Sequence, residues 1–152
     1  MGKKEKIVMV AGTFEIIHPG HIYLLRKARK LGKVIVVVAR DENVKRFKKR
    51  NPIIDEKQRL KVIRSIKYVN KAILGNPGPD IFQIVIKIKP DIILLGPDQK
   101  IDENKLQNYL KEHGLNVEIR RLKKKLGGKL NSTTKIINKI INEYLNRSGP
   151  VA

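Results

Sequence analysis

Short β-branched runs and segments of helical period alternate along this chain from end to end. Residues 7–11 form the first continuous apolar run, the pattern of a strand buried on both faces. Residues 19–31 follow as a helix with Ile22, Leu24, Leu25 and Ala28 facing inward and Gly32 as its stop signal. Residues 34–39 predict a second buried strand, and residues 41–49 a short basic helix capped by Asp41. An exposed connector through Asn51 and Pro52 leads to a helix opened by Asp55 or Glu56, carrying Leu60, Val62, Ile63 and Ile66. Residues 71–74 predict the third strand, closed by the turn-rich stretch 75–79. Asp80 is read as the cap of a helix running to Ile88, which Lys89 and Pro90 end. Residues 91–95 are the fourth strand, 102–113 an amphipathic helix ended by Gly114, and 116–122 the fifth strand. Residues 132–145 predict the terminal helix, with Ile136, Ile137, Ile140 and Ile141 as its apolar stripe.

Alternating strands and helices of this kind imply an α/β fold. The expected architecture is a Rossmann-like open parallel sheet of about five strands, with helices on both faces. One domain is expected, spanning residues 1–145, with 146–152 as a flexible tail. Ligands in such sheets bind beyond the carboxyl ends of the strands, near the point where strand order reverses. The loops at those ends are therefore the places to look for chemistry: 12–14, 39–41, 96–99 and 127–134.

Composition narrows the function classes. The chain has 152 residues and no cysteine, which removes disulfides and thiolate metal sites. No stretch approaches the roughly 20 apolar residues of a membrane helix, and no secretory leader is evident, so a soluble cytoplasmic protein is expected. The formal charge of +20 raises a nucleic-acid hypothesis. The basic residues are spread over most predicted faces, with concentrations only at 45–50 and 120–125, so that class ranks as a distant alternative. A lysine- and isoleucine-rich chain also fits a thermophile's charged surface.

The most informative segment is Gly12-Thr13-Phe14-Glu15-Ile16-Ile17-His18-Pro19-Gly20-His21. Gly12 lets the backbone turn tightly after the first strand, and Pro19 suits the first turn of a helix. His18 and His21, three apart, share a helix face beside exposed N–H groups and the positive end of the helix dipole. That is a phosphate site suited to a nucleotide triphosphate. A histidine without such surroundings is more often a packing or surface residue, and His113 is read that way.

This stretch resembles the GTFD-x-x-H-x-G-H mark of a nucleotidylyltransferase superfamily. Ser132-Thr133-Thr134 resembles that superfamily's second mark, a hydroxyl-rich run opening a late helix. Within the superfamily the chain is most similar to small archaeal FAD synthases, themselves similar to glycerol-3-phosphate cytidylyltransferases. The similarity is carried by Val38-Ala39-Arg40-Asp41, by Pro52-Ile53-Ile54 leading to Gln58-Arg59, and by residues 89–99. The resemblance implies transfer of AMP from ATP to the phosphate of FMN, with a divalent cation such as Mg2+ and a homodimeric assembly. A CTP-dependent enzyme acting on a small phosphorylated alcohol is the alternative.

The resemblance also implies site roles. His18 and His21 are the catalytic donors to the α- and β-phosphates. Thr13, Phe14, Pro19 and Gly20 complete the first ATP-binding wall, Ser132 and Thr133 bind the β- and γ-phosphates, and Asp98 contacts the nucleoside. Lys48, Arg59 and Arg121 are candidate phosphate contacts, with Arg120 as the other arginine ending the fifth strand. The metal ligands are left unassigned. Two positions depart from the superfamily: Glu15 stands where aspartate is usual, and residues 127–131 replace the Arg-Thr-x-Gly-x segment of the glycerol-3-phosphate type.

Overall fold

The computed structural model describes residues 4–126 and 128–146. The strands are β1 (Ile7–Gly12), β2 (Lys33–Val38), β3 (Lys71–Leu74), β4 (Ile92–Leu95) and β5 (Glu118–Arg121). The helices are α1 (Pro19–Leu31), α2 (Asp41–Lys48), α3 (Glu56–Arg64), α4 (Gln83–Ile88), α5 (Glu103–Glu112) and α6 (Thr133–Leu145). All pairings are parallel, in the order β3-β2-β1-β4-β5. The chain runs outward from β1 to β3, then returns to lay β4 on the other side of β1. The strand order therefore reverses between β1 and β4, and the segment after β1 opens onto that crevice.

Side-chain alternation along the strands builds two cores. Val8, Val10, Val34, Val36, Val38, Ile92 and Leu94 face Leu24, Leu25 and Ala28 of α1 and Ile63 of α3. Met9, Val37, Ile93 and Leu95 face Ile84 and Val85 of α4 and Leu106 and Leu110 of α5. Successive residues of a strand point to opposite faces, so continuous apolar runs are what a sheet covered on both sides requires. The expected open parallel sheet, single domain and two-sided helical cover are all present.

Several boundaries differ from the sequence expectation, each for a local reason. Arg40, not Asp41, is the N-cap of α2, because the Asp41 carboxylate is taken by Arg59. Asp80 does not cap α4: its carboxylate accepts from the Phe82 N–H in a local turn, and the helix starts only at Gln83. Asp55, Asp102 and Ser132 do cap their helices, each accepting from the N–H three residues on. Val62 is 45% exposed, and the inward position one turn before Ile63 is held by Arg59. The apolar stripe of α6 joins neither core: Ile140 and Ile141 are exposed, and no residue of that helix is buried. Its link to the histidine loop is polar, from the Thr133 hydroxyl to Ile16 O. Of the expected tail, 146–152, residues 147–152 fall outside the described residues, as does Gly127.

Candidate active site

The loop after β1 makes an unusual turn before α1. Phe14 has φ 53, the left-handed region that a bulky side chain rarely adopts, and its ring is buried in the core beneath the loop. A side chain on Gly12 would crowd that ring at 3.1 Å, so glycine at 12 leaves the Phe14 ring its room. Strain held in place by packing is common where a site needs fixed geometry.

His18 is the N-cap of α1, and the two histidines close a reciprocal cap. The Gly20 N–H donates to His18 Nδ1 at 3.1 Å, and the His18 N–H donates to His21 Nδ1 at 3.3 Å. The rings lie 3.8 Å apart between centroids at 32°, with Phe14 against His21 at 5.3 Å. Any Cβ at position 20 would fall 2.8 Å from the His18 ring, which is why glycine stands between them.

The cap fixes protonation as well as place. With Nδ1 accepting on both rings, each neutral imidazole carries its proton on Nε2 and is a donor there. Burial, then the neighbouring His18 and Lys48, pushes His21 down to about 3. Burial and the charge of Lys125 lower His18 as well. Near neutral pH the pair is thus two aligned neutral donors.

Around this pair the expected residues divide into three groups. Ser132 and Thr133 arrive at the same loop: the Thr133 hydroxyl donates to Ile16 O at 3.2 Å, and Ser132 caps α6. Asn131, nearly buried, holds the approach through Leu126 O and Lys135 Nζ. Lys48 is close enough to His21 to depress its proton affinity, and its own ammonium is depressed by burial and by Arg50.

The second group supports the loops. Arg59 is wholly buried: Nη1 donates to Thr13 O and Ala39 O, both at 2.8 Å, Nε to Ile54 O at 2.9 Å, and Nη2 to Asp41 at 2.6 Å. It ties the ends of β1 and β2 together and is not free to hold a phosphate, nor is it a surface salt bridge. Arg121 likewise donates to Gly96 O at 2.9 Å and Gln99 O at 2.8 Å, bracing the loop that carries Asp98. Arg120 points elsewhere, to Glu118 at 2.7 Å on the exposed face.

The third group was not singled out from sequence. Gln99 donates to Ala11 O at 2.9 Å and so links the ends of β1 and β4. Lys125 pairs with Asp98 at 2.6 Å and is the charge felt by His18. Arg50 pairs with Glu15 at 2.8 Å. A charge cluster in sequence marks the neighbourhood of Lys125 and Arg50, but not which member turns inward. His113 stacks on Tyr109 at the surface, far in role from the pair.

A metal site built by the protein does not fit these residues. Among the described residues no group of three or more His, Asp or Glu converges, and the Glu15 carboxylate is occupied by Arg50 and the Ile53 N–H.

The cytidylyltransferase-like family matches residues 9–139. The FAD synthase of Methanothermobacter thermautotrophicus is 52% identical, over 89% of this chain and 91% of that protein. The FAD synthase of Archaeoglobus fulgidus is 47% identical, over 90% of this chain and 98% of that protein. Among solved structures, the lipopolysaccharide core biosynthesis protein of Thermoplasma volcanium superposes with a TM-score of 0.75 at 45% identity, covering 82% of this chain and 100% of that one.

Proposed function

The chain belongs to the cytidylyltransferase-like family and, within it, to the archaeal FAD synthases, and from that premise we propose how its site makes FAD from ATP and FMN. An oxygen of the FMN phosphate attacks the α-phosphorus of ATP in line. The new P–O bond forms as the α–β bridging bond breaks, and pyrophosphate leaves with that bridging oxygen. The protein needs no covalent intermediate, only placement and charge.

The observation that carries the reading is the reciprocal cap of His18 and His21. It sets two neutral Nε2–H donors beside the open start of α1, the geometry for oxygens that gain charge in the transition state. Thr13, Phe14, Pro19 and Gly20 form the wall that admits the nucleotide. Ser132 offers its hydroxyl and Thr133 a free N–H of α6 to the β- and γ-phosphates, the Thr133 hydroxyl being held on Ile16 O. Lys48 supplies a cation to the same triphosphate. Asp98 contacts the nucleoside from a loop that Arg121 braces, and Arg59 acts only as a support. A divalent cation enters as part of the metal–ATP substrate, on the phosphates.

A homodimer in the cytoplasm, with residues 1–145 as the catalytic domain, completes the proposal. No helix among the described residues is long and apolar enough to cross a membrane, which is compatible with that location. The test is a crossed assay of the purified protein: ATP or CTP, with FMN or glycerol 3-phosphate, scored for pyrophosphate and for the joined product. FAD from ATP and FMN is expected. Product from CTP and glycerol 3-phosphate alone would overturn it.

A further inference from the structure

Glu15 stands at one of the two places where this sequence departs from the motifs it resembles, inside the loop that carries the histidines. Its side chain is 1% exposed. A carboxylate so far from water persists only when its charge and lone pairs are met. Here they are met by one segment: Arg50 Nη2 at 2.8 Å, Arg50 Nη1 at 3.3 Å and the N–H of Ile53. Both belong to the connector 49–55, which leaves α2 at a left-handed Lys49 with φ 56. Lys48 is the last residue of α2, directly before that turn.

We propose that Glu15 is a positioning residue for nucleotide binding: by clamping the connector through Arg50 and Ile53 it holds the Lys48 ammonium beside the histidine pair, where the triphosphate binds. The inference rests on the phosphate-binding role given to Lys48 above. The additional methylene of glutamate extends the carboxylate by about 1.5 Å relative to aspartate, the length of one carbon–carbon bond. That reach lets one carboxylate meet two residues of the connector.

The charges around Lys48 make the clamp measurable. Burial opposes the proton on Lys48 most, then Arg50; Glu15 favours it, Arg59 opposes it, and His21 faces it as a neutral ring. Removing Glu15 and removing Arg50 both loosen the clamp, yet with Lys48 still held at the end of α2 the change in charge moves its ammonium in opposite directions. With Glu15→Gln the lysine loses its counter-charge and deprotonates at lower pH. With Arg50→Met it loses a repelling cation beside an intact carboxylate and deprotonates at higher pH.

The experiment is calorimetric titration of magnesium and ATP into the wild type, Glu15→Gln, Arg50→Met and Glu15→Gln/Lys48→Arg, across alkaline pH. Circular dichroism checks each fold. Both single variants should bind ATP about tenfold more weakly, the scale of one lost charge-assisted contact. The alkaline fall in affinity should move down in Glu15→Gln, up in Arg50→Met, and vanish in the double variant. Unchanged affinity, or alkaline limbs that do not separate, overturns the clamp. Should Glu15→Gln not fold, Arg50→Met alone decides by the direction of its limb. Formation of FAD by the wild type is scored separately, so failure of the assigned reaction is told apart from failure of the clamp.

Discussion

The two walls of the site are held in different ways. On one side, Arg59 and Glu15 are buried charges held by several hydrogen bonds each, and between them they fix Thr13, Ala39, Asp41, Arg50, Ile53 and Ile54. On the other side, α6 has no buried residue and reaches the histidine loop through the Thr133 hydroxyl at 3.2 Å. Lys125 on that side is bound by an ion pair whose partners are 41% and 68% exposed. A buried network is expensive to alter and holds atoms to one geometry, whereas a half-exposed contact exchanges readily with water. Under the proposed reaction, the rigid first wall serves to receive the nucleotide and fix its reacting phosphorus, and the looser second wall to hold and release the β- and γ-phosphates.

The largest effect should come from Arg59→Met. It removes a buried cation and strands the Asp41 carboxylate and three carbonyls, a loss of about 3–5 kcal/mol in urea unfolding. A cost below about 1 kcal/mol would mean the first wall is not the rigid one.

Next come the histidines, where the walls meet. His18→Ala or His21→Ala should lower kcat by about 10²–10³-fold, as loss of a transition-state donor does, while the protein stays folded. Because His21 is pushed down to about 3, its protonation should leave kcat level from about pH 8 down to about pH 5. Stability behaves differently. The unfolded chain takes up a proton on His21 below its ordinary value of 6.5 while the native state does not, so stability is lost as pH falls from 6.5 toward about 3. A kcat that falls as pH rises through about 6.5, in a limb that disappears in His21→Asn, would show the imidazolium, not the neutral ring, to be the working form.

Smaller again is Ser132→Ala on the second wall. Loss of this cap should cost about 1 kcal/mol, confined to α6. Its effect on ATP should be larger in proportion, with KM for ATP up about tenfold and kcat nearly unchanged. A loss of stability as large as that of Arg59→Met would erase the distinction between the walls.

The same contrast explains what could be read from sequence. The sheet was legible because its strands must be apolar on both faces, and the histidine pair because Gly12, Pro19 and Gly20 leave a turn and a helix start few alternatives. Arg59 was not. A basic residue at a helical inward position looks like a surface charge until its carbonyl partners, contributed by Thr13, Ala39 and Ile54, are brought around it. Glu15 is similar: its partners lie 35 and 38 residues further along the chain. The α6 stripe misled in the opposite way, since period alone says that a face is apolar and not that anything covers it.

The smallest expected effect tests the loosest contact. Lys125 and Asp98 form a 2.6 Å pair between the β4–α5 loop and the segment before α6, in solvent on both sides. Exposed pairs of this kind contribute about 0–1 kcal/mol, so Lys125→Met should leave unfolding almost unchanged. Its charge nevertheless reaches His18, whose proton affinity it lowers after burial has done so. Lys125→Met should therefore raise the His18 titration midpoint seen by NMR while leaving that of His21 in place. If the midpoint holds still, Lys125 does not face the histidines, and the second wall is more open than its ion pair implies. If the midpoint rises and stability is unaffected, the second wall acts on the site through charge rather than through packing.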